Sequence, residues 1–157
     1  MKDLPEIVFV IAGSGEYEQH YKKLATEMNL VDQVYFIGKF TQEDLPKITA
    51  SAYIGVSLIE NLSISYYYAL PNKLFEYIMA EVPVIASNLP QMKEVIDKYD
   101  VGFVVDLENK VELIEAIKKL TSDSALYETK KKNCHKASQE LNWEKEVVNL
   151  LNILNGR

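Results

Sequence analysis

Glu6-Ile7-Val8-Phe9-Val10-Ile11-Ala12-Gly13-Ser14-Gly15 is the stretch on which the fold turns. Its first part is a nearly unbroken run of β-branched and aromatic residues, the composition of a strand buried on both faces of a parallel sheet. The run stops at two glycines flanking Ser14. Beyond them Tyr21, Leu24, Ala25 and Met28 recur at spacings of three and four, which predicts a helix. Val34-Tyr35-Phe36-Ile37, closed by Gly38, predicts a second strand. Strand, helix and strand in that order form a β-α-β unit, whose crossover is right-handed.

The same alternation continues. Thr41-Gln42-Glu43-Asp44 has the form of a capping box, in which hydroxyl and carboxylate satisfy free amides at a helix start, and predicts a short helix to about Ala50. Tyr53-Ile54-Gly55-Val56-Ser57 reads as the third strand, and after a long loop a helix opens near Asn72 and runs to about Ala80. Val82-Pro83-Val84-Ile85-Ala86 is the fourth strand, with Pro83 at its start, where a missing donor is tolerated. Pro90 to Ile96 predicts a helix with Pro90 in the first turn, and Gly102-Phe103-Val104-Val105 the fifth strand. From about 110 to 155 the pattern is helical: Val111, Leu113, Ile114, Ile117 and Leu120 form one apolar face, and Trp143, Val147, Leu150, Leu151 and Leu154 another. The expectation is an α/β fold: a doubly wound parallel sheet of about five strands, helices on both faces, and a helical C-terminal segment. A length of 157 residues with 48% hydrophobic content suits a single domain, residues 1–157.

Composition narrows the function. A formal charge of −6 argues against nucleic acid, which calls for a concentrated basic face. Cys134 is the single cysteine, which excludes an internal disulfide and fits a reducing, cytoplasmic setting. No apolar run approaches the roughly 18 to 20 residues that span a bilayer. Met1-Lys2-Asp3-Leu4-Pro5 has no signal-peptide core, so a membrane contact is expected to be peripheral. His20 and His135 lack metal-ligand spacing, and no metal site is expected. Ser14, Ser57 and Ser87 lie at turns or strand ends but lack the Gly-x-Ser-x-Gly context of a nucleophile elbow.

In doubly wound sheets ligands bind beyond the carboxyl ends of the strands. The loops there are Gly13 to Glu16, Leu58 to Pro71 and Ser87 to Pro90. Amides of Gly13-Ser14-Gly15 at a helix start suit an anion; a tight turn needing glycine's free φ suits them equally. Glu18 stands where a dinucleotide fingerprint has its third glycine, and Gly38-Lys39 where it has an acidic residue, which disfavours NAD. The richer stretch is Ser65-Tyr66-Tyr67-Tyr68-Ala69-Leu70-Pro71-Asn72-Lys73-Leu74-Phe75-Glu76-Tyr77. Free amides from Asn72 to Leu74 seat an anion, Lys73 adds charge, and Glu76, one turn on, accepts hydrogen bonds from a vicinal diol such as ribose. Together these describe a nucleotide seat. The alternative is that Lys73 and Glu76, at i and i+3, form a surface salt pair.

Leu70-Pro71-Asn72-Lys73-Leu74-Phe75-Glu76-Tyr77-Ile78-Met79-Ala80-Glu81-Val82-Pro83-Val84-Ile85-Ala86-Ser87 resembles the donor-site signature of retaining glycosyltransferases with two Rossmann-like domains, the GT-B group 1 type. Ile11 to Gly15, Val34 to Gly38 and Pro90 to Ile96 resemble the same family's C-terminal domain, in the same order. The resemblance implies a Rossmann-like domain that binds a UDP-, GDP- or ADP-sugar without metal or other cofactor. The resemblance further implies that this domain is part of an enzyme that transfers a hexose-type sugar to a glycan or lipid-linked acceptor in surface polysaccharide synthesis. Glu76 matches the second glutamate of the family's pair and implies a ribose contact. Tyr68 stands eight residues earlier, where the pattern has the first glutamate, with Glu60 a substitute through the longer loop. Gly38, Lys39 and Phe40 match the loop near the base, although Phe40 also suits a core aromatic. Lys73 would stabilise the departing diphosphate.

Further expectations concern the extent of the chain and its remaining polar residues. The acceptor domain and the first strand of the donor domain, with its basic loop, are not matched, so the chain is expected to be a donor-binding half that works with an acceptor domain or partner chain. The three tyrosines suit a sugar pocket, a domain interface or a packed loop. Lys130-Lys131-Lys132 suits anionic head groups or a solvated helix face, and Glu94 a surface or helix-capping position. Two rivals stay open: half of a sugar-nucleotide epimerase, which usually needs extra carboxylates and a histidine, and a flavodoxin-like binding module, which needs acidic strand ends where Ala12-Gly13 and Ser57-Leu58 stand.

Overall fold

A computed structural model of the chain describes residues 4–156. The chain divides into two compact units, Met1–Leu45 and Pro46–Arg157.

In the first unit, β1 (Phe9–Ala12), α1 (Glu18–Glu27) and β2 (Val34–Gly38) form the expected β-α-β arrangement. The strands are parallel, with Phe9 opposite Val34 and Ile11 opposite Phe36, and the register shifts between Ile11 and Ala12 so that Ala12 meets Gly38. Helix α1 carries a Glu18–Lys22 ion pair at 2.6 Å. It is followed by Asn29 in the left-handed region at φ 56, a conformation asparagine tolerates at a helix end. One expectation fails. β1 is not buried on both faces: Phe9 is 39% and Val10 49% exposed, as are Tyr35 (45%) and Ile37 (40%) of β2. The reason is geometric, since a two-stranded sheet with one helix beside it cannot enclose a strand from both sides.

The second unit holds β3 (Gly55–Ser57), β4 (Val84–Ser87) and β5 (Gly102–Val105), a parallel sheet in the order β3-β4-β5. Around it lie α2 (Leu45–Ala50), α3 (Ile64–Tyr67), α4 (Asn72–Met79), α5 (Pro90–Tyr99), α6 (Lys110–Ser122), α7 (Ser124–Ser138) and α8 (Trp143–Leu154). All five expected strands are therefore present, in two parallel sheets. The hydroxyl half of the predicted capping box is in place: Thr41 Oγ1 accepts from the Asp44 amide (3.2 Å) and donates to the Asp44 carboxylate (2.9 Å) just before α2. Pro90 occupies the first turn of α5.

Strand β4 is central and buried along its whole length. Its alternate residues feed two cores, as strand periodicity requires. Val84 and Ala86 pack with Leu74 and Ile78 of α4, Met92 and Ile96 of α5, and Cys134 and Ala137 of α7. Ile85 points the other way, to Val105, Ala116, Leu120 and Tyr127. Burying each large aliphatic side chain contributes about 1.5–3 kcal/mol, so these two layers dominate the unit's stability.

Two readings of the late helices change. Lys130 is not part of a solvated lysine face: it is 6% exposed, ion-paired to Asp100 and set over the Phe103 ring at 5.0 Å. Asp100, left-handed at φ 51 after α5, turns the chain so that its carboxylate meets that lysine. The apolar face of α8 is largely uncovered, with Trp143 and Leu154 each 72% exposed.

Candidate functional site

Helix α4 begins where extended backbone at Pro71 (φ −74, ψ 140) gives way to Asn72, and the Leu74 amide closes a first turn on the Pro71 carbonyl at 3.0 Å. Leu74 and Ile78, four residues apart and fully buried, fix the inner face. That places Asn72, Lys73 and Glu76 on the exposed side. No side chain caps the start of the helix. The Leu74 amide, expected to be free, is taken up by the Pro71 carbonyl, so the Asn72 and Lys73 amides and the positive end of the helix dipole stand beside the Lys73 side chain with no capping side chain among the described residues.

The Lys73–Glu76 salt pair does not form, and among the described residues neither side chain has an ion-pair partner. A cation at the helix start and a carboxylate one turn further are thus both available to a ligand. Tyr77, next to Glu76, is held in place: its hydroxyl donates to the Val56 carbonyl at 3.4 Å. Burial pushes its pKa up and the neighbouring Glu76 charge adds to that, so it remains a neutral phenol.

The loop before α4 contains a feature absent from the sequence expectations, the short helix α3, whose start is capped by Ser63 accepting from the Tyr66 amide at 3.3 Å. Tyr66, Tyr67 and Tyr68 are 50%, 39% and 58% exposed, and the Tyr67 and Tyr68 rings meet edge to face at 4.9 Å. They are not buried loop packing. Glu60 is exposed at the head of the same loop, and Glu94 is exposed on α5.

In the first unit, two of the candidate positions meet: the Gly13 amide donates to the Gly38 carbonyl at 2.7 Å. Both glycines have positive φ, 130 and 77, which accounts for glycine there. The Gly13 amide is thus engaged, leaving Ser14 and Gly15 exposed ahead of α1. Lys39 is exposed and Phe40 is 41% exposed, so Phe40 is not a core aromatic.

His20 and His135 lie exposed on α1 and α7 as expected. His135 Nδ1 is 2.8 Å from Glu81 Oε1. A cleft of about 350 Å³ lined by Glu81, Glu128, Lys131, Lys132, His135 and Lys136 lies at the opposite end of α4 from Asn72. Its walls are surface charges of both signs, and it does not touch the α4 start.

Sequence reasoning did not single out the two strand-end serines as a contrasting pair. Ser87 Oγ accepts from the Ile59 amide at 2.6 Å and so fixes the start of the loop. Ser57 is fully buried and its hydroxyl has no hydrogen-bond partner among the described residues. The available signal was a lone hydroxyl ending an otherwise apolar strand.

The comparisons with known proteins bear on the whole arrangement. Residues 1–141 match the family model described as glycosyl transferases group 1. The chain is 30% identical over 141 residues to chitobiosyldiphosphodolichol beta-mannosyltransferase of Candida glabrata, covering 88% of this chain and 30% of that protein. It is 27% identical over 132 residues to UDP-Gal:alpha-D-GlcNAc-diphosphoundecaprenol alpha-1,3-galactosyltransferase of Escherichia coli, covering 83% of this chain and 32% of that protein. Among solved structures, sucrose-phosphate synthase from Thermosynechococcus elongatus superposes with a TM-score of 0.77 at 24% identity, over 94% of this chain and 37% of that one. The Anabaena HepE protein in complex with UDP-glucose gives 0.80 at 19% identity, over 98% of this chain and 42% of that one. These likenesses show the GT-B Rossmann-like fold, and the chain spans about a third of the length of the curated relatives it matches. With the family model running through both units, the chain belongs to the glycosyl transferases group 1 family.

Proposed function

We propose that the chain is the donor-binding part of a glycosyltransferase that moves a hexose-type sugar from a nucleotide to a glycan or lipid-linked acceptor in surface polysaccharide synthesis. The observation that carries this is the α4 start, where uncapped amides and Lys73 stand one turn from Glu76, neither side chain having an ion-pair partner among the described residues. Lys73 and the helix end hold the diphosphate and stabilise it as it departs, while the anomeric carbon becomes oxocarbenium-like. Glu76 accepts hydrogen bonds from the ribose hydroxyls. Exposed Tyr68 and its neighbours supply amphipathic rings beside the sugar.

Relatives named for diphosphodolichol- and diphosphoundecaprenol-linked acceptors support the lipid-linked class. A similar fold holding UDP-glucose supports a nucleotide sugar as donor. Among the described residues no helix is long and apolar enough to cross a membrane. Calorimetry of the full-length protein with UDP-, GDP- and ADP-sugars is the test, with Glu76→Ala alongside. One nucleotide class should bind with micromolar affinity and lose roughly tenfold or more in the variant. No affinity, or none lost, would sink the proposal. Release of free nucleoside diphosphate only when acceptor is present separates transfer from epimerisation.

A further inference from the structure

Ser57 closes β3 and is fully buried, yet its Oγ has no hydrogen-bond partner among the described residues. Buried hydroxyls are nearly always paired, and an unpaired one is a standing destabilisation that a protein keeps only where something else requires it. The neighbouring strand shows the ordinary solution: Ser87 at the end of β4 has its hydroxyl engaged by the Ile59 amide.

The direction of the Ser57 side chain follows from two observations. Gly55, two residues earlier on β3, faces α4, because a Cβ there would lie 2.2 Å from Tyr77 Cγ. Side chains two apart in a strand share a face. Ala86, the register partner of Ser57, also packs in the core that contains Leu74 of α4. Height follows as well. Helix α4 runs back between two parallel strands, so its start lies toward their carboxyl ends. Two strand residues advance about 6.8 Å. At 1.5 Å per helical residue that is about four to five positions from Tyr77 toward the helix start. Ser57 therefore lies at the height of the first turn of α4, on the inner side where Leu74 packs.

The Leu74 amide is taken up by the Pro71 carbonyl, which leaves the Asn72 and Lys73 amides, the Lys73 ammonium and the unpartnered Ser57 hydroxyl able to donate. A hydroxyl beside amides alone can accept from them, and this one does not. What the group lacks is an acceptor. We infer that Ser57 is a binding residue for an oxyanion seated at the α4 start, donating to a phosphoryl oxygen of a nucleoside diphosphate once the atoms that cover its Oγ give way to the ligand. The inference rests on the nucleotide-sugar reading of the same helix start and adds to it a specific donor from the sheet below.

Ser57→Ala tests it, with Ser57→Cys as a second variant that keeps the volume and weakens the donor. Each is measured in the full-length protein for melting temperature and for affinity toward UDP, GDP and ADP and the matching nucleosides. The expected result is a melting temperature equal to or above wild type, because an unpaired buried hydroxyl is gone. Affinity for the diphosphate should fall about tenfold or more, while nucleoside affinity stays the same. Ser57→Cys should fall between the two. Diphosphate affinity unchanged in both variants, with wild type binding normally, overturns the role of Ser57 and leaves the nucleotide reading intact. Equal losses for diphosphate and nucleoside would also overturn it, since those indicate a disturbed fold. Absence of any binding by wild type removes the nucleotide reading and this inference together.

Discussion

The ring of Tyr77 occupies the place where a side chain at Gly55 would stand: a Cβ on Gly55 would lie 2.2 Å from Tyr77 Cγ and 2.5 Å from Cδ1. This contact sets the distance between β3 and α4, and through α4 the position of Lys73 and Glu76. Gly55→Ala forces the helix outward, and overpacking of this kind typically costs about 1–3 kcal/mol. Urea unfolding should show that loss. Binding of nucleoside diphosphate should weaken in step with it, because Ser57 and the α4 start are moved apart. A variant with wild-type stability would show that α4 is free to shift.

Lys130 and Asp100 make an uneven pair. The lysine side chain is 7% exposed and the aspartate 61%, so the ion pair is anchored in the interior and open at its acidic end. Removing the partner leaves a buried ammonium with reduced compensation, whereas replacing the lysine by an apolar chain of similar length leaves only a solvated carboxylate. Asp100→Asn, which keeps a side chain compatible with the left-handed backbone, should cost about 1–3 kcal/mol in urea unfolding. Lys130→Met should cost less. The opposite order would mean that the contact of the ammonium with the Phe103 ring, not its pairing with Asp100, dominates.

Tyr127 joins α7 to the chain just ahead of β3 in two ways. Its ring stacks on Tyr53 with centroids 3.9 Å apart at 8°, and its hydroxyl donates to the Tyr53 carbonyl at 3.1 Å. Tyr127→Phe removes only the hydrogen bond and should cost about 0.5–1.5 kcal/mol. Tyr127→Ala also opens a cavity and should cost about 3–5 kcal/mol. Thermal or urea unfolding of the two variants separates hydrogen bond from packing.

The strands and most helices were legible because each carries its own periodicity, and β4 with its all-buried residues is the clearest case. The exposure of β1 was not, since an apolar run states what a strand could bury and not how many layers surround it. At the site, the apolar pattern placed α4 from about Asn72 to Ala80, close to its observed span, but only three-dimensional placement showed that Lys73 and Glu76 do not pair. Ser57 was invisible as a donor for the same reason: an orphaned hydroxyl is defined by what fails to surround it. Lys130 misled by its neighbours, because a run of three lysines reads as one surface although a helix turns successive residues by about 100°.

Cys134 gives a pH-dependent prediction. It is fully buried between α4, α5 and the sheet, with Sγ 3.6 Å from the Val82 carbonyl oxygen and 3.7 Å from that of Val101. Burial pushes its pKa up from 9.0 to about 12, with the Glu81 charge adding a little. Between those values the unfolded chain loses the thiol proton and the native chain keeps it. The unfolded state then binds fewer protons, so stability falls as pH rises through that window and is intact below it. Cys134→Ala should lower stability at neutral pH through lost packing, yet flatten the alkaline decline relative to wild type, which separates its contribution from those of tyrosines and lysines. Because the thiolate is the reactive form, a thiol reagent at pH 8 should label the native protein only as fast as it opens, and label it at once in denaturant. Labelling of the native protein at the rate of a free thiol would mean that the site is reached from solvent and that burial does not set its pKa.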